Sequence, residues 1–398
     1  MSILKYLFFT LTLASLLSCS NSETDEVINS NQEVIQDAVQ ETFGDKIDLN
    51  NLPNYANQEI PDYINEDNTR GNEISDAGAI LGRVLFYDKN LSNNNTVSCA
   101  SCHKQEFAFG DDLRASVGVN GTTGRHSMRL VNSRFAEEDN FFWDERANSL
   151  EEQTTMPIQD HVEMGFSGND GDPSFNDLAE KLESIEYYNE LFTFVYGDES
   201  VSEARMQNAL AQFIRSIQSF DSKYDIGRAQ VNRNNDNLPN LTTLENEGRS
   251  LFMGRPNFDA SGARIAGGLG CDVCHRAPEF DIDPNSDNNG VIASIAGNDS
   301  DLDVTRSPSL RDLFNSNGEM NGPSMHTGDF DSFEDVLAHY NNIDASGNNN
   351  LDGRLANRGQ GQNLNMTTDE IQAVVAFIKT LSGSNLYTDV KWSDPFAE

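Results

Sequence analysis

The chain has 398 residues, 64 of them acidic against 27 basic, for a formal charge of −37. At 37% hydrophobic and 9% aromatic it can bury a sizeable core, which excludes wholesale disorder. The acidity excludes a nucleic-acid binder and suits solubility or a basic or neutral protein partner, while a mean hydropathy of −0.55 excludes a polytopic membrane protein.

The first 18 residues read as a secretion signal. Lys5 supplies a positive start, and Tyr6 to Leu17 is almost unbroken apolar sequence, too short to span a bilayer comfortably. Leu16-Leu17-Ser18-Cys19 resembles the lipobox of bacterial lipoproteins. That resemblance implies lipid attachment at Cys19 and a periplasmic, membrane-anchored location in the cell envelope. Residues 19–58 are expected to form an acidic flexible tether. Ile35, Val39, Phe43 and Ile47 recur at i+4, so one short amphipathic helix is expected to interrupt it.

Setting Cys19 aside leaves Cys99-Ala-Ser-Cys102-His103 and Cys271-Asp-Val-Cys274-His275. Both are C-x-x-C-H, the attachment pattern of c-type haem. Two thiols at this spacing form thioethers to the haem vinyl groups, and the adjacent histidine reaches the iron. A zinc site, redox disulfides or structural bridges leave the histidine after each pair unexplained. Two covalent c-type haems are therefore expected, on Cys99 and Cys102 and on Cys271 and Cys274, with His103 and His275 as iron ligands.

The surroundings of the two motifs repeat. Gly82-Arg83-Val84-Leu85-Phe86 precedes the first, and Gly248-Arg249-Ser250-Leu251-Phe252 precedes the second. Ala209 to Ile217 and Ala373 to Leu381 follow as similar helical segments, so the copies are offset by roughly 164–172 residues. Thr367-Thr368-Asp369-Glu370 reads as a helix N-terminal cap. Each unit runs helix, haem loop, long irregular region, closing helix, an order that resembles the cytochrome c fold. The expected fold is all-α, with two tandem cytochrome c-like domains, each carrying one covalent haem. Their expected limits are 59–235 and 236–398, with the boundary in the Asn232 to Asn240 loop.

Gly82 to Asp88, Leu91-Ser92 and Val97 to His103 resemble the entry to the bacterial dihaem cytochrome c peroxidases. Phe142-Trp143-Asp144-Glu145-Arg146-Ala147 is similar to their inter-haem tryptophan motif, and Met156 to Gly165 to the segment carrying their catalytic glutamate. The resemblance spans about Pro61 to Leu381. It implies that the haem on His103 is peroxidatic, that Glu163 is the acid-base residue, that Gln153 hydrogen-bonds peroxide, and that Trp143 relays electrons between the haems.

Departures from the family pattern matter as much. Many members carry a distal histidine in the loop after the first haem, and none occurs here between His103 and His126. The first iron is therefore expected to be five-coordinate and active without reductive priming, or else to take its ligand elsewhere, with His126 the first suspect. His126 stands where the family usually has an asparagine that contributes to a calcium site, which puts calcium in doubt. His161 reads as a surface residue, and His326 lies in a weakened version of a family motif at the domain interface. For the second haem, His339 is expected as the sixth iron ligand; Tyr340, Met320 and Met325 are the alternatives. A tyrosine ligand there would lean toward the tryptophan-oxidising enzymes of the same superfamily.

The expected function is reduction of hydrogen peroxide to water with electrons from a reduced cytochrome c or small copper protein. The alternatives are a dihaem oxidase acting on aromatic residues of a partner protein and a non-catalytic electron carrier. Relatives are often dimers, so a homodimer is the expectation by resemblance.

Overall fold

The computed structural model describes residues 37–396 apart from 138–139, 283, 298–299 and 358–359. The expected leader and the Cys19 anchor lie outside the described residues. No helix among the described residues is long and apolar enough to cross a membrane.

Side-chain caps start most of the long helices. After the short α1 (Asp37–Phe43), α2 (Asp76–Tyr87) is opened by Ser75, whose hydroxyl accepts from Gly78 N–H at 3.0 Å. The one-turn α3 (Cys99–Cys102) carries the first cysteine pair. Then come α4 (Leu150–Thr155), α5 (Phe175–Glu183), α6 (Glu186–Tyr196) and α7 (Glu203–Ser216), which closes the first unit. The second unit holds α8 (Lys223–Arg228), α9 (Thr243–Met253), α10 (Phe333–Asn341) and α11 (Thr368–Lys379). Thr367 and Glu370 cap α11 as the sequence predicts, and Thr242 and Glu245 form the same reciprocal box on α9.

Helices are the main regular elements but hold only a minority of the residues, and the fold is not purely α. The second unit also carries three short antiparallel ladders: β1 (Pro256–Phe258) with β2 (Arg264–Gly267), β3 (His275–Arg276) with β4 (Asp281–Ile282), and β5 (Ala356–Asn357) with β6 (Gln360–Gly361). They lie in glycine- and asparagine-rich loops, where two to four residues pair without any strand-length apolar run to announce them.

In each unit two long helices, α2 with α7 and α9 with α11, cross at a glycine. A Cβ on Gly82 of α2 would sit 2.0 Å from the carbonyl oxygen of Ala209 on α7. A Cβ on Gly248 of α9 would sit 1.8 Å from that of Ala373 on α11. The repeated Gly-Arg and Ala segments are thus the two sides of one helix crossing, built twice. Phe86 and Phe213 meet at the first crossing with centroids 5.2 Å apart, and Phe252 and Phe377 at the second with 5.5 Å. Gly82→Ala is expected to push these helices apart at a cost of about 1–3 kcal/mol, the usual range for overpacking. It should lower the thermal midpoint of the holoprotein; an unchanged midpoint would mean that the crossing tolerates a methyl group.

Two apolar cores result, and their membership corrects the expected limits. Tyr224 and Leu238 already belong to the second core, so the changeover falls between Ile217 and Tyr224, before the asparagine-rich loop. At the other end Leu386 and Trp392 return to the first core. There the carbonyls of Trp392 and Ser393 accept from Tyr87 Oη at 2.6 Å and Arg83 Nε at 2.7 Å. The expected tether is also shorter than 19–58. From Asp37 onward the chain is packed: Val39, Phe43, Ile47 and Tyr55 are buried in the first core, and Glu190 receives the N–H groups of Ala38 and Val39. An i, i+4 apolar stripe buries itself wherever a matching face exists, and α6 offers one.

Candidate active site

The first cysteine pair sits on a single helical turn stabilised by Ser98, whose N–H donates to Ser101 Oγ at 3.0 Å. Cys99, Cys102 and His103 face a cavity of about 640 Å³. Its apolar wall comes from the helix crossing, through Phe86, Leu210 and Ile214. His103 Nδ1 is 3.0 Å from the carbonyl oxygen of Phe109. With Nδ1 so occupied, the imidazole is held in the tautomer whose Nε2 lone pair is free for a metal. The loop reaches back through two consecutive residues in the left-handed region, Ala108 at φ 56° and Phe109 at φ 59°. Such positions cost about 1–3 kcal/mol each in non-glycine residues and concentrate at functional sites.

The second site repeats the device. Cys271, Cys274 and His275 line a cavity of about 890 Å³, and His275 Nδ1 is 3.0 Å from the carbonyl oxygen of Pro308. Burial pulls the His275 pKa down to about 4, so its imidazole is neutral. Burial also pushes the thiols of Cys99 and Cys271 up to about 12 and Cys102 up to about 11. A redox dithiol needs the opposite shift, and none of the four cysteines is in a disulfide. Paired thiols, an oriented imidazole and an apolar cavity at each site fit a covalently held haem.

Glu163 and Gln153 are brought together on the open side of the first site. A chamber of about 1340 Å³ is lined by His103, Gln153, Glu163, Trp143, His126 and Arg129, among others. Gln153 comes from α4, which Thr155 ties to Glu203 of α7 through a 2.9 Å hydrogen bond. Glu163 is placed by a turn in which Asp160 Oδ1 accepts from the N–H groups of Val162 and Glu163 at 2.7 and 3.0 Å. The neighbouring loop locks that turn: Val119 N–H donates to Glu163 O, and a Cβ on Gly118 would lie 2.1 Å from Val162 O. Burial, and secondarily the charge of Asp160, push the Glu163 pKa up to about 7, with Arg146 opposing.

Trp143 lines both this chamber and a cavity of about 640 Å³ that reaches His275. It is 7% exposed, its indole N–H donates to the carbonyl oxygen of His126 at 2.6 Å, and His326 packs edge-on at 6.2 Å between centroids. His126 itself is buried, with Nδ1 2.9 Å from Leu113 O, and it too lines the chamber. His161 is a surface residue paired with Asp172 at 2.8 Å.

His339, the expected sixth ligand, sits on α10 with its ring against the backbone of Asn289. Its Nε2 lies 3.0 Å from the carbonyl oxygen of Asn289, and it lines neither cavity that touches His275. Tyr340 lines both of those cavities. The reason is helical geometry: Phe333, Val336, Leu337 and Tyr340 fall at i, i+3, i+4 and i+7 on α10, so Tyr340 continues the inward stripe. His339 is rotated about 100° from it. Reading that period through to its last residue puts Tyr340, one of the expected alternatives, on the inward face. Met325 also lines one of the cavities, whereas Met320 lines neither. Asp160 was legible only as a member of the Met156 to Gly165 segment, and Arg129 carried no signal in the sequence at all.

A family profile described as di-haem cytochrome c peroxidase matches residues 76–232. The methylamine utilization protein MauG of Methylorubrum extorquens is 31% identical over 288 residues, 68% of this chain and 70% of that protein. The cytochrome c551 peroxidase of Nitrosomonas europaea is 28% identical over 77% of this chain and 80% of its own length. A crystal structure of a MauG-like protein associated with microbial copper homeostasis matches with a TM-score of 0.65 at 27% identity, covering 86% of this chain and 99% of that one.

Proposed function

Because the chain belongs to the di-haem cytochrome c peroxidase family, we propose that it reduces hydrogen peroxide at the His103 site and draws the electrons from the His275 site across Trp143. The observation that carries this reading is the shared chamber of His103, Glu163, Gln153 and Trp143, with the Glu163 carboxyl poised at about 7. Haem held by Cys99, Cys102 and His103 supplies the iron at which peroxide is reduced. Glu163 then takes the proton from the inner peroxide oxygen and delivers it to the outer one, while the Gln153 amide hydrogen-bonds the departing oxygen. A pure electron carrier needs neither group. We further infer attachment at Cys19 to the periplasmic side of a bacterial envelope.

A second reading differs in the electron source, and Tyr340 favours it. A tyrosinate from Tyr340 would favour oxidised iron in haem held by His275, whereas a thioether would favour reduced iron. That would make a reduced cytochrome c or small copper protein a harder donor and leave the two oxidising equivalents of peroxide to be spent on an aromatic side chain of a partner protein. The MauG relatives and the MauG-like structural neighbour support the second donor, and the cytochrome c551 peroxidase supports the first.

The pH profile tests the role of Glu163. It must be ionised to accept the first proton, so peroxide turnover by the holoprotein is expected to be full above its pKa and to fall as pH drops through about 7. Arg146 favours the ionised form, so Arg146→Ala should move this acid limb to higher pH. A limb that stays put, or turnover independent of pH around 7, would assign the proton transfer to another group. No turnover with a cytochrome, a copper protein or an aromatic donor would overturn the proposed function.

A further inference from the structure

Arg129 is a buried cation that forms no ion pair among the described residues. It lies in the wall shared by the chamber of the His103 site and the smaller cavity at His275. Its Nη2 donates to the carbonyl oxygen of Ser309 at 3.0 Å, which anchors one edge of the guanidinium. Its Nε is buried with no hydrogen-bond partner, and no carboxylate among the described residues forms an ion pair with it. Asp312, a nearby carboxyl, is already engaged by Gly383 N–H at 2.9 Å and Tyr387 Oη at 3.2 Å, and burial pushes its pKa up to about 6. Burial likewise draws Arg129 down to about 10. An isolated buried charge costs several kcal/mol, so a site of this kind is built for a counter-ion.

The internal repeat shows that this cation has no counterpart. Ser127-Met128-Arg129-Leu130 in the first unit matches Ser307-Pro308-Ser309-Leu310 in the second. Where the two copies meet, one supplies a serine carbonyl and the other an arginine. Arg129 is therefore not a demand of the repeated fold, and it shares the wall between the two sites with Arg306, which also lines both cavities.

We propose that Arg129 pairs with a carboxylate side chain of bound haem and, through its positive charge, raises the reduction potential of the haem that it holds. Each haem carries such carboxylates, and Arg129 borders both sites; the haem whose properties move identifies the source. This inference rests on haem occupying both sites and not on what the haems do with peroxide.

The test is a spectroelectrochemical titration of holoprotein carrying two haems, comparing wild type with Arg129→Gln and Arg129→Lys. Arg129→Gln is expected to lower one midpoint so that the reduced-to-oxidised ratio at fixed potential falls about tenfold, or about 59 mV for one electron. Arg129→Lys, which keeps the charge, should recover most of that loss. The carboxylate bending band of the same haem in resonance Raman should shift in Arg129→Gln, and this is readable even in a poorly stable variant. Unchanged midpoints and an unchanged band, or a loss that lysine does not recover, would overturn the pairing. Because neither readout uses peroxide, a chain inactive toward peroxide would still reveal whether Arg129 holds a haem carboxylate.

Discussion

Glu163→Gln is expected to cut peroxide turnover by roughly 10²–10⁴-fold, the usual worth of a positioned general acid-base. The substitution keeps the size and hydrogen-bonding shape of the side chain but cannot accept a proton. The turn that presents residue 163 is held by backbone bonds to Asp160 and by Val119 N–H, none of which uses the carboxylate. The fold and both haem attachments should therefore survive. Steady-state peroxide consumption, read beside haem absorption, separates lost chemistry from lost structure. Turnover within a few-fold of wild type would remove Glu163 from the mechanism and leave its raised pKa as a by-product of burial.

The second large effect concerns α10. Tyr340→Met is expected to raise the midpoint potential of one haem by on the order of 100 mV or more, within the roughly 0.8 V range that axial ligands span. A phenolate stabilises oxidised iron, and a thioether removes that preference. His339→Ala is expected to leave both potentials nearly unchanged, because its imidazole is committed to the carbonyl of Asn289. Spectroelectrochemistry on the two variants side by side distinguishes them. A large shift in His339→Ala with none in Tyr340→Met would restore histidine as the ligand.

Much of this was legible in the sequence because it is written in spacing. C-x-x-C-H fixes cysteines and histidine on one turn, and the structure orients both histidines through a backbone carbonyl as that chemistry requires. The Gly-Arg and Ala repeats marked a helix crossing built twice, since only glycine permits the approach at positions 82 and 248. Placing Glu163 and Gln153 at one cavity required the resemblance, because ten residues of irregular turn separate them and no periodicity connects them. What escaped depends on contacts between distant segments. Leu386 and Trp392 join the first core although the chain has just left the second, and the short ladders pair glycine- and asparagine-rich loops. His339 looked like the ligand because of its residue type. The helical period, a weaker cue over nine residues, puts Tyr340 on the inward face.

If peroxide reacts at the His103 site and draws electrons from the His275 site across Trp143, the order in which the two haems respond must depend on that indole. Peroxide would be mixed with fully oxidised holoprotein, in wild type and in Trp143→Phe, and the absorption of both haems followed in time. Wild type is expected to change promptly at both haems, and Trp143→Phe promptly at the first but much more slowly at the second. Equal rates at the second haem in both proteins would contradict this electron path.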